Sequence, residues 1–224
     1  MIFRRRGPDA AGHLRAGRAL EAHVASSVPF AERRAPLEQA VCHYLAAVAA
    51  APPGSEPWRE AAFAAGSLLA GENSVRDLGR AIPLLEAVVA SAHGYDPAHY
   101  YLGEAYAMAR RFDDAERVWR RGLALDPGQA GLADVLRHLG IDRLHDAAGR
   151  GDHAAVVAAA ERIPEGERVA EAWLLLGDAL AALGDTQGAA EAWRRALALE
   201  PLKGMRKRFA AVGVAFPGDA STSA

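Results

Sequence analysis

Lysine is nearly missing from this chain. Of its 26 basic residues only Lys203 and Lys207 are lysine, and Asn73 is the lone asparagine. Scarce Lys and Asn beside abundant Ala, Arg and Gly point to a GC-rich bacterial genome. That is a codon bias and carries no mechanism. Cysteine occurs once, at Cys42, which excludes an internal disulfide and a cysteine-based zinc cluster. Its apolar setting, Val41-Cys42-His43-Tyr44, predicts a small buried hydrophobe. Neither charge sign dominates: the net charge is −2 and the pI about 6.5. No global field therefore steers the chain onto nucleic acid or anionic lipid. No apolar run approaches the ~18 residues that span a bilayer. No apolar stretch follows the basic cluster Arg4, Arg5 and Arg6, so a secretory signal is not expected and the cytoplasm is the expected location.

Catalytic signatures are also lacking. There is no phosphate-binding loop, dinucleotide-binding glycine fingerprint, H-E-x-x-H or G-x-S-x-G element. Gly149-Arg150-Gly151-Asp152 follows a helical pattern and not a strand, so it is expected to be a plain turn. His138, Asp142, His145 and Asp146 fall at helical spacings that could share a metal. A charged surface helix gives the same pattern, and a polar stripe is the reading taken. No catalytic residue, metal site or cofactor is expected. The chain is expected not to be an enzyme.

What is abundant is alanine, roughly a quarter of the chain and far above ordinary usage. Hydrophobic residues make up 51 % of the sequence and aromatics only 7 %. Alanine forms helix best and permits close helix–helix approach. No segment alternates with period two, so the fold class is all-α.

The stretch 170–201 shows its own architecture. Trp173, Leu176, Gly177 and Leu180 recur at helical spacing, and Leu183-Gly184-Asp185 makes a turn. Ala189, Trp193 and Ala196 recur on a second helix, which Pro201 stops. Residues 96–127 repeat the pattern with Leu102, Gly103, Tyr106, Ala115, Trp119, Gly122 and Pro127, with His99 where the first stretch has Trp173. In both, a mid-helix glycine costs helix stability. That cost makes sense if Trp119 and Trp193 fill the space. Residues 130–164 form a weaker unit, with Leu132, Leu136, Leu139, Ile141 and Leu144 on one helix. Residues 55–91 form another. In it Ser55 is a candidate cap, Trp58, Ala62, Ala65, Gly66 and Leu69 line one side, and the partner helix runs over 76–91. Pro83 predicts a kink there or a start nearer Ala81. The first unit comprises helices at 10–26 and about 36–51, with Leu37, Val41, Tyr44 and Val48 on one stripe. Residues 202–212 read as an end helix whose apolar face carries Leu202, Met205, Phe209 and Val212. The expected domain plan is a flexible arm over 1–9, one helical repeat domain over 10–212, and a disordered tail over 213–224.

The pattern in 170–201 and 96–127 resembles the tetratricopeptide repeat, a helix–turn–helix unit of about 34 residues. The resemblance implies a right-handed α-α superhelix of about five repeats plus a C-terminal capping helix. It also implies a concave face, lined by the first helix of each repeat, that receives a partner peptide or helix. Offset from the packing stripe, that face is expected to carry Phe63 and Ser67; Tyr100, Glu104 and Met108; His138, Ile141 and His145; and Leu174 and Asp178. Each of these could equally pack on the neighbouring first helix. Relatives that clamp acidic peptides use Lys and Asn along this face, and both are absent there. The expected partner is therefore a protein segment that is apolar or mildly basic, held by a non-catalytic adaptor, scaffold or chaperone-like holder. The alternative is a regulatory or accessory subunit of an enzyme or nucleic-acid machine, using the basic ends at 4–6 and 203–208. Nucleic acid is not the expected partner, no membrane insertion is expected, and self-association through an open solenoid end stays open.

Overall fold

A computed structural model describes residues 9–92 and 97–217. Eleven α-helices make up the described residues, with no strand among them. They are α1 (Ala10–Ser27), α2 (Arg34–Ala50), α3 (Glu56–Gly71), α4 (Leu78–Ser91), α5 (Ala98–Met108), α6 (Phe112–Leu125), α7 (Ala130–Gly149), α8 (His153–Glu161), α9 (Ala170–Ala182), α10 (Thr186–Leu199) and α11 (Met205–Ala211). Short 3-10 turns stand at Phe30–Glu32 and Glu165–Glu167. The all-α class expected from composition is the class observed.

Local chemistry explains where the helices begin and turn. Asp9, Ser55, Asp77, Asp152 and Asp185 each accept a hydrogen bond from the backbone N–H three residues on, capping α1, α3, α4, α8 and α10. Three of the helix–helix turns share one geometry. Gly184 (φ 87°), Gly151 (φ 67°) and Arg110 (φ 61°) occupy the left-handed region at equivalent places. The next residue then donates its N–H back to the helix just ended: Asp185 to Leu180 O, Asp152 to Ala147 O and Arg111 to Tyr106 O, at 2.8–3.0 Å. Arg110 adopts this conformation with a side chain, where the other two turns use glycine.

The chain divides into two compact units, one ending at Asp134 and the other beginning at Val135. The boundary lies inside α7 and not in a linker. In the first unit α1 packs on α2, α3 on α4 and α5 on α6, while α2 meets α3, α4 meets α5, and α3 meets α5. In the second unit α9 packs on both α8 and α10.

One device recurs in all five helix pairs. The first helix carries a glycine where a Cβ would collide with a large side chain of the second. Gly17 faces the Tyr44 ring (2.5 Å), Gly66 faces Leu85 Cγ (2.7 Å), and Gly140 faces Ile163 Cγ1 (2.7 Å), just past the end of α8. Gly103 and Gly177 face the indoles of Trp119 and Trp193 still more closely. Gly66, Gly103, Gly140 and Gly177 recur every 37 residues, slightly longer than the ~34-residue period of the family that the sequence resembles. Both tryptophans are 2 % exposed, and a buried indole needs an acceptor for its N–H. Trp119 Nε1 donates to the Tyr100 carbonyl at 3.1 Å, and Trp193 Nε1 to Asp178 Oδ1 at 3.0 Å.

Several sequence expectations change. Cys42 is exposed, not buried. Val41 and Tyr44 point into the core, and Cys42 falls off that stripe because successive helical residues diverge by about 100°. α4 starts at Leu78 and runs through Pro83, so its start is not near Ala81. Asp9, expected in a loose arm, caps α1 at 2.8 Å from Gly12 N; the rest of that arm, 1–8, lies outside the described residues. Residues 213–217, expected in a disordered tail, lie against the end helix, where Phe216 meets Phe209 edge-on at 5.6 Å between centroids. Residues 218–224 lie outside the described residues.

Candidate functional site

The candidate positions of the first unit lie on α3 and α5, first helices of consecutive pairs that pack side by side. Phe63 is half-buried and meets Tyr101 edge-on at 5.6 Å, and Tyr101 meets Tyr100 edge-on at 5.5 Å. The three rings form a chain from α3 to α5. Phe63 is thus partly a helix–helix contact, while Tyr100 and Glu104 stay half-exposed and Met108 is 38 % exposed. Ser67 is half-buried, its hydroxyl on the Ala64 carbonyl at 3.3 Å. Partial burial raises the Tyr100 hydroxyl pKa, and the nearby Glu104 carboxylate raises it further. The result is an apolar, aromatic surface bordered by one carboxylate.

In the second unit the candidates lie on α7 and α9. Ile141 packs against the core around Leu144 and Trp173. His138 is exposed. His145 Nε2 lies 3.3 Å from Glu171 Oε1 of α9. Leu174 packs against the cluster of Trp193, Met205 and Phe209. Asp178 is held on two sides: it accepts from Trp193, and Arg208 of α11 grips it through two bonds at 2.6 and 2.9 Å. The same contact holds the Arg208 pKa up. Asp178 therefore anchors the end helix, a role that spacing alone does not reveal because its partner lies 30 residues on.

The glycine register sharpens the assignment. Counted from the interlocking glycines, Phe63, Tyr100 and Leu174 are equivalent, and the matching position on α7 is Arg137 and not His138. Ser67, Glu104, Ile141 and Asp178 form the second equivalent set. The register is hidden in the sequence because Gly140 faces an isoleucine, and no aromatic marks the pair. Tyr101 was also missed. It adjoins Tyr100, and the doublet was the signal available.

The remaining sequence candidates are separated. Asp146 pairs with Arg150 one turn on, and Asp142 is exposed. No group of three or more metal-ligating side chains forms among the described residues. Of the basic C-terminal run, Arg208 is tied to Asp178 and Arg206 stacks over Phe216 at 4.5 Å. No helix of the described residues is long and apolar enough to cross a membrane. Two cavities open against α2 instead. One, of about 490 Å³, includes Arg34, Arg76, Arg80 and Asp77 in its lining; the other, of about 590 Å³, includes His13, Cys42 and His43.

Comparison with known proteins names the class. Models of the tetratricopeptide repeat match residues 74–139 and 170–203. The first match spans α4 to α7 and the second α9 and α10. The chain thus carries tetratricopeptide repeats over these residues, and repeats of this kind are in general protein–protein interaction modules. No curated protein matches it in sequence. Solved structures that it is similar to include the MamA protein, at 20 % identity and TM-score 0.49 over 92 % of this chain and 97 % of that one. The tetratricopeptide-repeat domain of P58(IPK) shows 19 % identity and TM-score 0.46 over 92 % of this chain and 54 % of that one. A thermophilic tetratricopeptide-repeat protein of Thermus thermophilus shows 19 % identity and TM-score 0.40 over 91 % of this chain and 98 % of that one.

Proposed function

We propose that this protein is a non-catalytic adaptor, scaffold or chaperone-like holder that receives an apolar or mildly basic segment of a protein partner on its first-helix face. The observation that carries this reading is the α3–α5 surface. Phe63, Tyr101 and Tyr100 join two neighbouring first helices in a chain of rings, and Tyr100, Glu104 and Met108 keep exposed area beside it. Aromatic side chains give large contact area at low entropic cost, and an exposed methionine adapts to an irregular apolar partner. Glu104 favours a basic side chain at the border. The conspicuous features of the repeat, the glycines and tryptophans, are consumed by packing, so recognition falls to these offset positions.

The second reading, a regulatory subunit acting through basic ends, is supported less. Arg208 is tied to Asp178 of α9, and Arg206 stacks over Phe216 just past the end helix. Affinity for the natural partner tests the first reading. Tyr100→Ala and Glu104→Arg should each weaken binding about tenfold, the effect of losing roughly 1.4 kcal/mol at an anchor. Unchanged affinity in both variants refutes the assignment. A steep loss of affinity with salt would instead favour phosphate contacts and the second reading.

A further inference from the structure

The cavity of about 590 Å³ against α2 holds a pair of histidines that the interaction function does not use. His13 of α1 and His43 of α2 are 30 residues apart in sequence, yet their Nδ1 atoms stand 3.2 Å from each other. Their ring centroids are 5.5 Å apart, with an interplanar angle of 43°. We propose that this pair is a binding site for a divalent ion of the zinc class.

Geometry carries the argument first. Two metal–nitrogen bonds of about 2.0–2.1 Å at a tetrahedral angle set their nitrogens about 3.3 Å apart. The separation of the two Nδ1 atoms is close to that value. Without an ion the same distance suits one hydrogen bond, with one Nδ1 carrying a proton and the other accepting it. On binding, the ion takes the place of that proton, and the donor ring keeps its hydrogen on Nε2 as the other neutral tautomer. Each imidazole then offers a lone pair, and both rings stay uncharged.

The scaffold holds the pair in place. His13 lies one turn before Gly17, and His43 adjoins Tyr44. The Tyr44 ring is seated against Gly17, and its hydroxyl donates to Glu21 of α1. Both ligands thus stand on packed helices and not on loops, which favours a fixed ligand geometry. No Lys or Arg lines the cavity to repel a cation, and the one lining carboxylate, Glu38, is paired with Arg34 one turn back. Two protein nitrogens leave the other coordination positions to water. The site is therefore weak and exchangeable, unlike a closed structural zinc site.

Zinc titration of the full chain tests this. The chain carries no affinity tag, is stripped with chelator, and bears Cys42→Ser so that the thiol lining the same cavity cannot add a ligand to the histidine pair. Calorimetry should find one Zn²⁺ per chain, and Zn²⁺ should raise the thermal midpoint. His13→Ala and His43→Gln should each weaken binding at least tenfold and abolish the midpoint shift, while His153→Ala, at the exposed start of α8, should change neither. Circular dichroism of the metal-free variants checks that they fold. Undetectable binding to the parent, or zinc affinity unchanged in both pair variants, would overturn the proposal.

Discussion

Adding one methyl group at position 103 should unfold more of this protein than its size suggests. A Cβ there would enter the Trp119 indole, so Gly103→Ala should destabilise by about 1–3 kcal/mol. It does so despite the roughly 1 kcal/mol by which alanine favours a helix over glycine. Gly131→Ala is the control, since the nearest atom to its added Cβ, Tyr100 Cε2, is 4.0 Å away; it should be neutral or slightly stabilising. Urea unfolding midpoints measure both. If Gly103→Ala unfolds with the parent, the interlock is not what positions the two helices. Arg110 offers the opposite change. It holds φ 61° where Gly151 and Gly184 serve the equivalent turns, and a side chain in that region costs about 1–2 kcal/mol. Arg110→Gly should therefore raise stability by about 1 kcal/mol.

At the scale of the element, α11 is the clearest case of a helix defined by what it covers. Phe209 is fully buried against Trp193, with ring centroids 5.5 Å apart, and Phe209→Ala should cost about 3 kcal/mol. Arg208 and Asp178 each keep about a third of their side chains exposed, so solvent weakens their attraction. A double-mutant cycle on the pair should give a coupling energy of about 1 kcal/mol, not more. Most elements were legible in the sequence because their signals are local. The apolar spacing, the Ser55 cap and the glycine–tryptophan pairs of 96–127 and 170–201 all fall within a few turns. The apolar face of the end helix was legible for the same reason. What was not legible depends on partners far along the chain. Asp178 looks like a groove position until Arg208 and Trp193 are seen to hold it. His13 and His43 look scattered until α1 lies on α2. Cys42 looked buried because its neighbours are apolar, yet one step around the helix decides its exposure. For the candidate site, helical spacing nominates Tyr100 and Glu104, and the register of Gly140 makes Arg137, not His138, the position equivalent to Tyr100.

At the scale of the whole molecule, stability should fail in alkali at two tyrosines. Burial, then the hydrogen bond to Glu86, pushes the Tyr106 hydroxyl up to about 12, against about 10 in an unfolded chain. Between those values the unfolded chain has lost a proton that the folded one retains, so stability falls as pH rises through the window. Tyr44, buried beside Glu21, is shifted the same way and extends the fall. Chemical denaturation at stepped pH should show it, with a shallower slope in Tyr106→Phe. Which face receives the partner is read directly by amide hydrogen exchange of the full chain with and without its natural partner. Partner-induced protection should concentrate on α3 and α5, around residues 63–67 and 100–108. Protection confined to the second helices α4, α6 and α10, with α3 and α5 unchanged, would contradict it.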